Sequence, residues 1–148
     1  MKVLNQVKLE MLSKAENVAF ARVTVAALAS QLDFTISELD DVKVAVSEAV
    51  SNAIIHGYQN ANKGIVVLLV TIYEDILEVV VDDQGIGIAD LEQAMTPSFS
   101  TDPERMGLGF VFMQSLMDDL RVKSEPGKGT QVILTKKVHT VPDPCPDC

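Results

Sequence analysis

Apolar residues recur with two different periods along this chain, and the switches between them mark out its elements. Val7, Leu9 and Met11 alternate with polar neighbours, so Val3–Met11 reads as a strand. Ser13-Lys14-Ala15-Glu16 has the form of a capping box and predicts a helix running to about Gln31. Thr35-Ile36-Ser37-Glu38 repeats the signal, and Leu39, Val42, Val46, Val50 and Ala53 then share one face of a second helix. That helix is expected to run to His56 and to stop at Gly57 in a left-handed C-terminal cap. Asn60–Gly64 is a turn, Ile65–Tyr73 a strand, Glu74-Asp75 a tight connection and Ile76–Asp82 another strand. Both strands are apolar on both faces in places, which places them in the interior of a sheet. A short helix near Asp90–Ala94 and an irregular stretch from Met95 to Met106 come next. Gly107 to about Asp118 reads as a helix, and Leu120–Ser124 with Thr130–Val138 as a hairpin.

Strands and helices are grouped rather than strictly alternating. The expected class is therefore α+β, a two-layer α/β sandwich with one mixed sheet and helices on one face. Residues 1–138 are expected to form a single domain, with 139–148 as a flexible tail. No GxxxxGK[ST] is present, and the GxG after Asp83 does not open a βαβ unit, so P-loop and Rossmann readings are set aside.

Composition narrows the choice further. The 148 residues are enough for one domain with a real core, and 47% hydrophobic with 22% charged residues is ordinary for a globular protein. No apolar run approaches membrane-spanning length, and MKVLNQVKLEM carries no secretory signal, so the expected location is the cytoplasm, with no membrane partner. A net charge of −9 argues against direct nucleic-acid binding and favours proteins or small molecules as partners. The two cysteines, Cys145 and Cys148, lie in the terminal VPDPCPDC with only His139 nearby, too few groups for a tetrahedral metal site. The tail is assigned no chemistry.

The candidate chemistry lies in four short stretches. Glu48, Asn52 and His56 recur every fourth residue and form a polar stripe beside the apolar helix face. The stripe is either a solvated border or a carboxylate and an amide facing a pocket. In the second case the Asn52 oxygen is a hard ligand suited to Mg²⁺, and Glu48 can accept a proton from a nucleophile. Asp83 ends an apolar strand and opens DQGIG; its carboxylate can accept a hydrogen bond from an exocyclic amine, while Gly85 and Gly87 let the backbone approach a flat ring. Plain turns share that pattern. Gly107-Leu108-Gly109-Phe110 opens a helix, where free N–H groups and the helix dipole suit an anion such as phosphate. Arg105 is either a second phosphate contact or a solvated loop charge, and FSTDPERM is long and polar enough to act as a lid. Thr130, after Gly127-Lys128-Gly129, either sits in a hairpin turn or places its hydroxyl beside a base.

In this order the four stretches resemble the GHKL ATPase superfamily over about residues 13–138. SEAVSNAIIHGY, residues 47–58, and AFARVTVA, residues 19–26, make the chain most similar to bacterial anti-sigma factors that are also serine kinases, and among them to the sporulation type. The resemblance implies a Bergerat fold that uses ATP and Mg²⁺. It implies Glu48 as general base, Asn52 as Mg²⁺ ligand and Asp83 as adenine partner. Gly85, Gly87 and Thr130 would line the base pocket, and Arg105, Gly107, Gly109 and Phe110 would hold the phosphates. It further implies a homodimer that phosphorylates a serine of a small anti-anti-sigma protein and silences a sigma factor of the sigma-F type, with Arg22 touching the protein partners.

Two alternatives stay open: a general-stress anti-sigma serine kinase, and an ATPase or nucleotide switch that phosphorylates no protein. A histidine kinase is disfavoured, because only His56 and His139 are available as acceptors and Glu48 supplies a base that an imidazole needs less. The chain departs from the close family at Asp82, where a basic residue is usual, in a slightly shorter lid, and in its CPDC tail.

Overall fold

The computed structural model describes residues 1–91 and 106–139. The elements run β1 (Asn5–Leu12), α1 (Glu16–Ala29), α2 (Ile36–Asn52), β2 (Ile65–Ile72), β3 (Ile76–Asp83), α3 (Met106–Leu116), β4 (Asp119–Glu125) and β5 (Gly129–Lys137). Between α2 and β2 the helix continues as one π-helical turn, Ala53–Gly57. Of the short helix expected near Asp90–Ala94 only Asp90 and Leu91 are described, and Arg105, the lid before Met106 and the cysteine tail lie outside the described residues.

The strands form one sheet in the order β1-β2-β3-β5-β4, so β2 and β3 are interior as their composition predicted. Every neighbouring pair is antiparallel, which corrects the expectation of a mixed sheet. The connections explain why. Two helices between β1 and β2 return the chain to the end it left, and tight turns join β2 to β3 and β4 to β5. The single-helix crossover from β3 to β4 does run parallel, but β5 lies between those two strands.

One face of the sheet carries the core. Val66, Leu68, Leu77, Val79, Val81, Val132 and Leu134 are buried there, following the period of two. Against them lies α2, with Val42, Ala45, Val46, Ala49 and Val50 buried and with α1 and α3 packed alongside it. This central position of α2 is what brings its polar stripe up to the ends of β3 and β5. Lys136 fastens the far end of α3, its Nζ donating to the Leu116 carbonyl at 2.6 Å and lying 3.7 Å from the Asp41 carboxylate of α2. No helix among the described residues is long and apolar enough to cross a membrane.

The two capping signals have different fates. Thr35 caps α2 as expected: its side chain accepts from Glu38 N–H at 3.1 Å, and Glu38 accepts from Thr35 N–H at 3.0 Å. Ser13 caps nothing. The helix begins one residue after Ala15 without a side-chain cap. Ser13 is fully buried instead, donating to the Ala61 carbonyl and accepting from Gly64 N–H, and so ties the end of β1 to the turn before β2. The turn before β2 offered this hydroxyl two partners, and they outcompeted the helix end.

Gly57 also departs from expectation. It does not take the left-handed conformation; Gln59 (φ 53°) and Asn60 (φ 62°) do, and Asn60 N–H closes onto the Ile54 carbonyl at 3.0 Å. Gly57 is needed for closeness, since a β-carbon there would lie 2.8 Å from an Asp83 carboxylate oxygen.

Candidate functional site

The π-helical end of α2, the last residue of β3, the first turns of α3 and the start of β5 surround a narrow cleft. Asn52, His56, Gly57, Asp83, Gly87, Ile88, Phe110 and Thr130 line it, with Ala49, Ala53, Val81 and Val132 forming its apolar walls. Such a mostly apolar cleft with a few convergent polar groups is suited to a flat ligand.

At one end is Asp83, 4% exposed. Its Oδ1 accepts from Gly85 N–H at 2.9 Å. Burial pushes its carboxyl above the usual carboxylate range; N–H groups of Gly85 and Thr130 oppose the shift, and neighbouring Asp82 adds to it. A buried carboxylate held at this cost is stabilised by any ligand that donates a hydrogen bond to it.

The loop after Asp83 is pinned at every second residue. Tyr58 Oη accepts from Gln84 N–H at 2.7 Å and donates to the Ile65 carbonyl at 2.6 Å. Ile86 N–H reaches the Gly57 carbonyl at 2.9 Å, and Ile88 N–H reaches Ser124 Oγ at 2.7 Å. Gly87 has φ +74°, open to glycine at little cost. A β-carbon at Gly85 would run into the Gly57 carbonyl and one at Gly87 into the Glu125 carbonyl, so both glycines let the loop pack against neighbouring backbone.

At the other end Glu48 and Asn52 meet α3. The β-carbon absent from Gly109 would lie 3.2 Å from both Glu48 Oε2 and Asn52 Nδ2. Gly109 therefore lets two polar side chains of α2 press against the first turns of α3. Asn52 Nδ2 is buried and has no hydrogen-bond partner, one of two such side-chain atoms among the described residues. Buried polar atoms are rarely left so, and an amide in this state is matched to a partner the cleft would receive. The donor set, one amide oxygen with a carboxylate a turn away, fits an Mg²⁺ ion that takes its other ligands from phosphates and water.

The sequence-predicted residues separate accordingly. Glu48, Asn52, Asp83, Gly87, Gly109, Phe110 and Thr130 converge on the cleft or its rim, and Gly85 fixes Asp83. Gly107 lies in the first turn of α3, where backbone N–H groups lack acceptors within the helix. Phe110 is 1% exposed and packs into the core, so its side chain forms cleft wall rather than a phosphate contact. Arg105 lies outside the described residues. Arg22 is exposed on α1, remote in sequence from the cleft residues. Three contributors were not anticipated: Gly57, Tyr58 and Ser124. Ser124 had a signal, since the hairpin register sets it directly opposite Thr130.

The family model for the histidine kinase-like ATPase domain matches residues 11–136. An anti-sigma F factor of Clostridium acetobutylicum is 53% identical over 142 residues, covering 94% of this chain and 98% of its own. The chain belongs to the anti-sigma F factors of the histidine kinase-like ATPase family. Among other members, an anti-sigma F factor of Geobacillus thermodenitrificans is 49% identical over 136 residues, covering 90% of this chain and 93% of its own.

Solved structures extend the family likeness to the fold. The RsbU and RsbW domains of a Mycobacterium tuberculosis protein superpose with a TM-score of 0.64 at 19% identity, over 90% of this chain and 32% of that one. A blue-light activated histidine kinase of Erythrobacter litoralis gives 0.56 at 20% identity, over 78% and 40%. Family membership makes the α+β sandwich of this chain a histidine kinase-like ATPase domain.

Proposed function

We propose that this chain is an ATP-dependent protein serine kinase and anti-sigma factor. It phosphorylates a serine of a small anti-anti-sigma protein and, as a cytoplasmic homodimer, binds and silences a sigma factor of the sigma-F type. The observation that carries the kinase half is the meeting of Glu48 and Asn52 on Gly109 at one end of a cleft whose other end is the buried Asp83. The family names of the relatives support the anti-sigma half.

In this reading Asp83 accepts a hydrogen bond from the adenine amine, and Gly87 and Thr130 flank the ring. The first turn of α3 receives the phosphates, with Gly107 N–H among its donors and Arg105 as a further cation. Asn52 supplies the protein ligand to Mg²⁺, which would neutralise phosphate charge. Glu48 takes the proton from the partner's serine hydroxyl. The serine oxygen bonds to the γ-phosphorus as the bond to the β–γ bridging oxygen breaks, leaving ADP. Arg22, exposed on α1, serves the protein partners and not the nucleotide.

The test uses γ-labelled ATP, Mg²⁺, this protein and a native lysate of a spore-forming relative. Label on a serine of a second, small protein is expected. Free phosphate with no labelled protein would instead mark an ATPase or a nucleotide switch.

A further inference from the structure

The peptide that follows Asp83 is held on both sides. Its carbonyl fits against Gly129, where a β-carbon would collide with that oxygen. Its N–H, that of Gln84, donates to Tyr58 Oη at 2.7 Å. The next amide, Gly85 N–H, turns back to Asp83 Oδ1 at 2.9 Å. A continuous path therefore runs from the Tyr58 hydroxyl through two amides to the carboxylate.

Tyr58 is itself fixed. A carbonyl only accepts, so the 2.6 Å contact with the Ile65 oxygen takes the one phenolic proton and leaves the lone pairs to Gln84. The ring lies against bare Gly64, whose β-carbon, if present, would stand 2.5 Å from Tyr58 Cδ1. Tyr58 thus joins the π-helical end of α2, the start of β2 and the loop after β3, yet it is not one of the described residues that line the cleft. We propose that Tyr58 is a positioning residue for Asp83: through the Gln84 and Gly85 amides its hydroxyl holds the carboxylate in the orientation that a nucleotide meets. It governs ATP affinity without touching ATP, and it has no part in phosphoryl transfer at the Glu48 end. The inference rests on the nucleotide-binding reading above and adds what keeps Asp83 in place.

The measurement pairs the dissociation constant of ATP with Mg²⁺ and the transfer rate to the anti-anti-sigma protein at saturating ATP. Tyr58→Phe keeps the ring and removes the hydroxyl. Both former partners lie near the surface, where water can satisfy them without fixing them, so the fold should hold. The dissociation constant should rise about fivefold to tenfold, as loss of one hydrogen bond would give, with the saturated rate unchanged. Gly64→Ala gives a second route, since its β-carbon would displace the ring from a position outside the cleft. It should weaken ATP binding in the wild type and add little in the Tyr58→Phe background, because both changes break the same contact. Unchanged ATP affinity in Tyr58→Phe would overturn the proposal. So would a saturated rate that falls together with affinity, or additive effects of the two substitutions, since either would make Tyr58 a brace for the fold alone. A wild type that binds ATP but labels no protein would sink the kinase reading and leave the affinity cycle to decide this one. A wild type that binds no ATP would sink the nucleotide reading itself.

Discussion

Asp83 is the residue on which burial and function pull in opposite directions. It closes an apolar strand, sits under a backbone cradle and is nearly inaccessible, so its carboxyl is pushed above the usual range. A group with a raised folded-state value stabilises the fold below its unfolded value and loses that contribution as pH rises through the folded one. Without ligand, Asp83 therefore weakens the fold near neutrality. Asp83→Asn, which keeps an oxygen for Gly85 N–H, should melt at or above the wild-type temperature at pH 7. Below the folded value the wild type should regain ground on the variant, while the variant loses ATP binding at every pH. Paired melting curves across pH with an ATP titration check this; a large loss of stability at pH 7 would count against it. Its place at the end of an apolar strand was legible from the period of two, but not its burial, because plain turns share Asp-x-Gly-x-Gly. Gly57 and Tyr58 were not legible as its supports, because what they touch is set by β3 and its loop, some 26 residues further along.

Among the elements, the junction of α2 with α3 carries the most consequence. The stripe of Glu48, Asn52 and His56 was readable from the helical period alone. Its neighbour was not: nothing local says that Gly109 must be bare so that α3 can meet that stripe. Gly109→Ala separates stability from function. Alanine favours a helix interior by about 1 kcal/mol over glycine, so thermal stability should hold or rise. Its β-carbon would crowd Glu48 and Asn52 at 3.2 Å, so phosphoryl transfer should fall at least about tenfold as the pair is displaced. Melting temperature and transfer rate, read on one preparation, check both halves. The helix ends teach a related lesson. Thr35 and Ser13 open similar sequence signals, but only Thr35 faces solvent and its own helix. Ser13 was drawn into the core by the turn before β2, a contact 51 residues away that local pattern does not encode. Likewise the period of two located the strands, while their all-antiparallel order followed from how the helices return the chain.

For the molecule as a whole, the proposed function puts the base on the sheet and the phosphates at the central helix, while α1 packs beside that helix with Arg22 exposed. This division predicts that partner binding and nucleotide binding can be separated. Arg22→Ala should weaken binding to the sigma factor or to the anti-anti-sigma protein by about tenfold or more, while leaving ATP affinity unchanged. Unchanged affinity for both proteins would move the partner surface elsewhere. Electrostatics agrees with protein partners, since a net charge of −9 offers no footprint for nucleic acid. In the proposed function Glu48 acts as base in transfer to a protein serine. It is tested most directly by the single-turnover rate of phosphoryl transfer to the anti-anti-sigma protein at saturating Mg²⁺ and ATP, in wild type and Glu48→Gln. A loss of about 10²–10⁴-fold is expected, with ATP affinity nearly unchanged. A variant that transfers phosphate at the wild-type rate would contradict it.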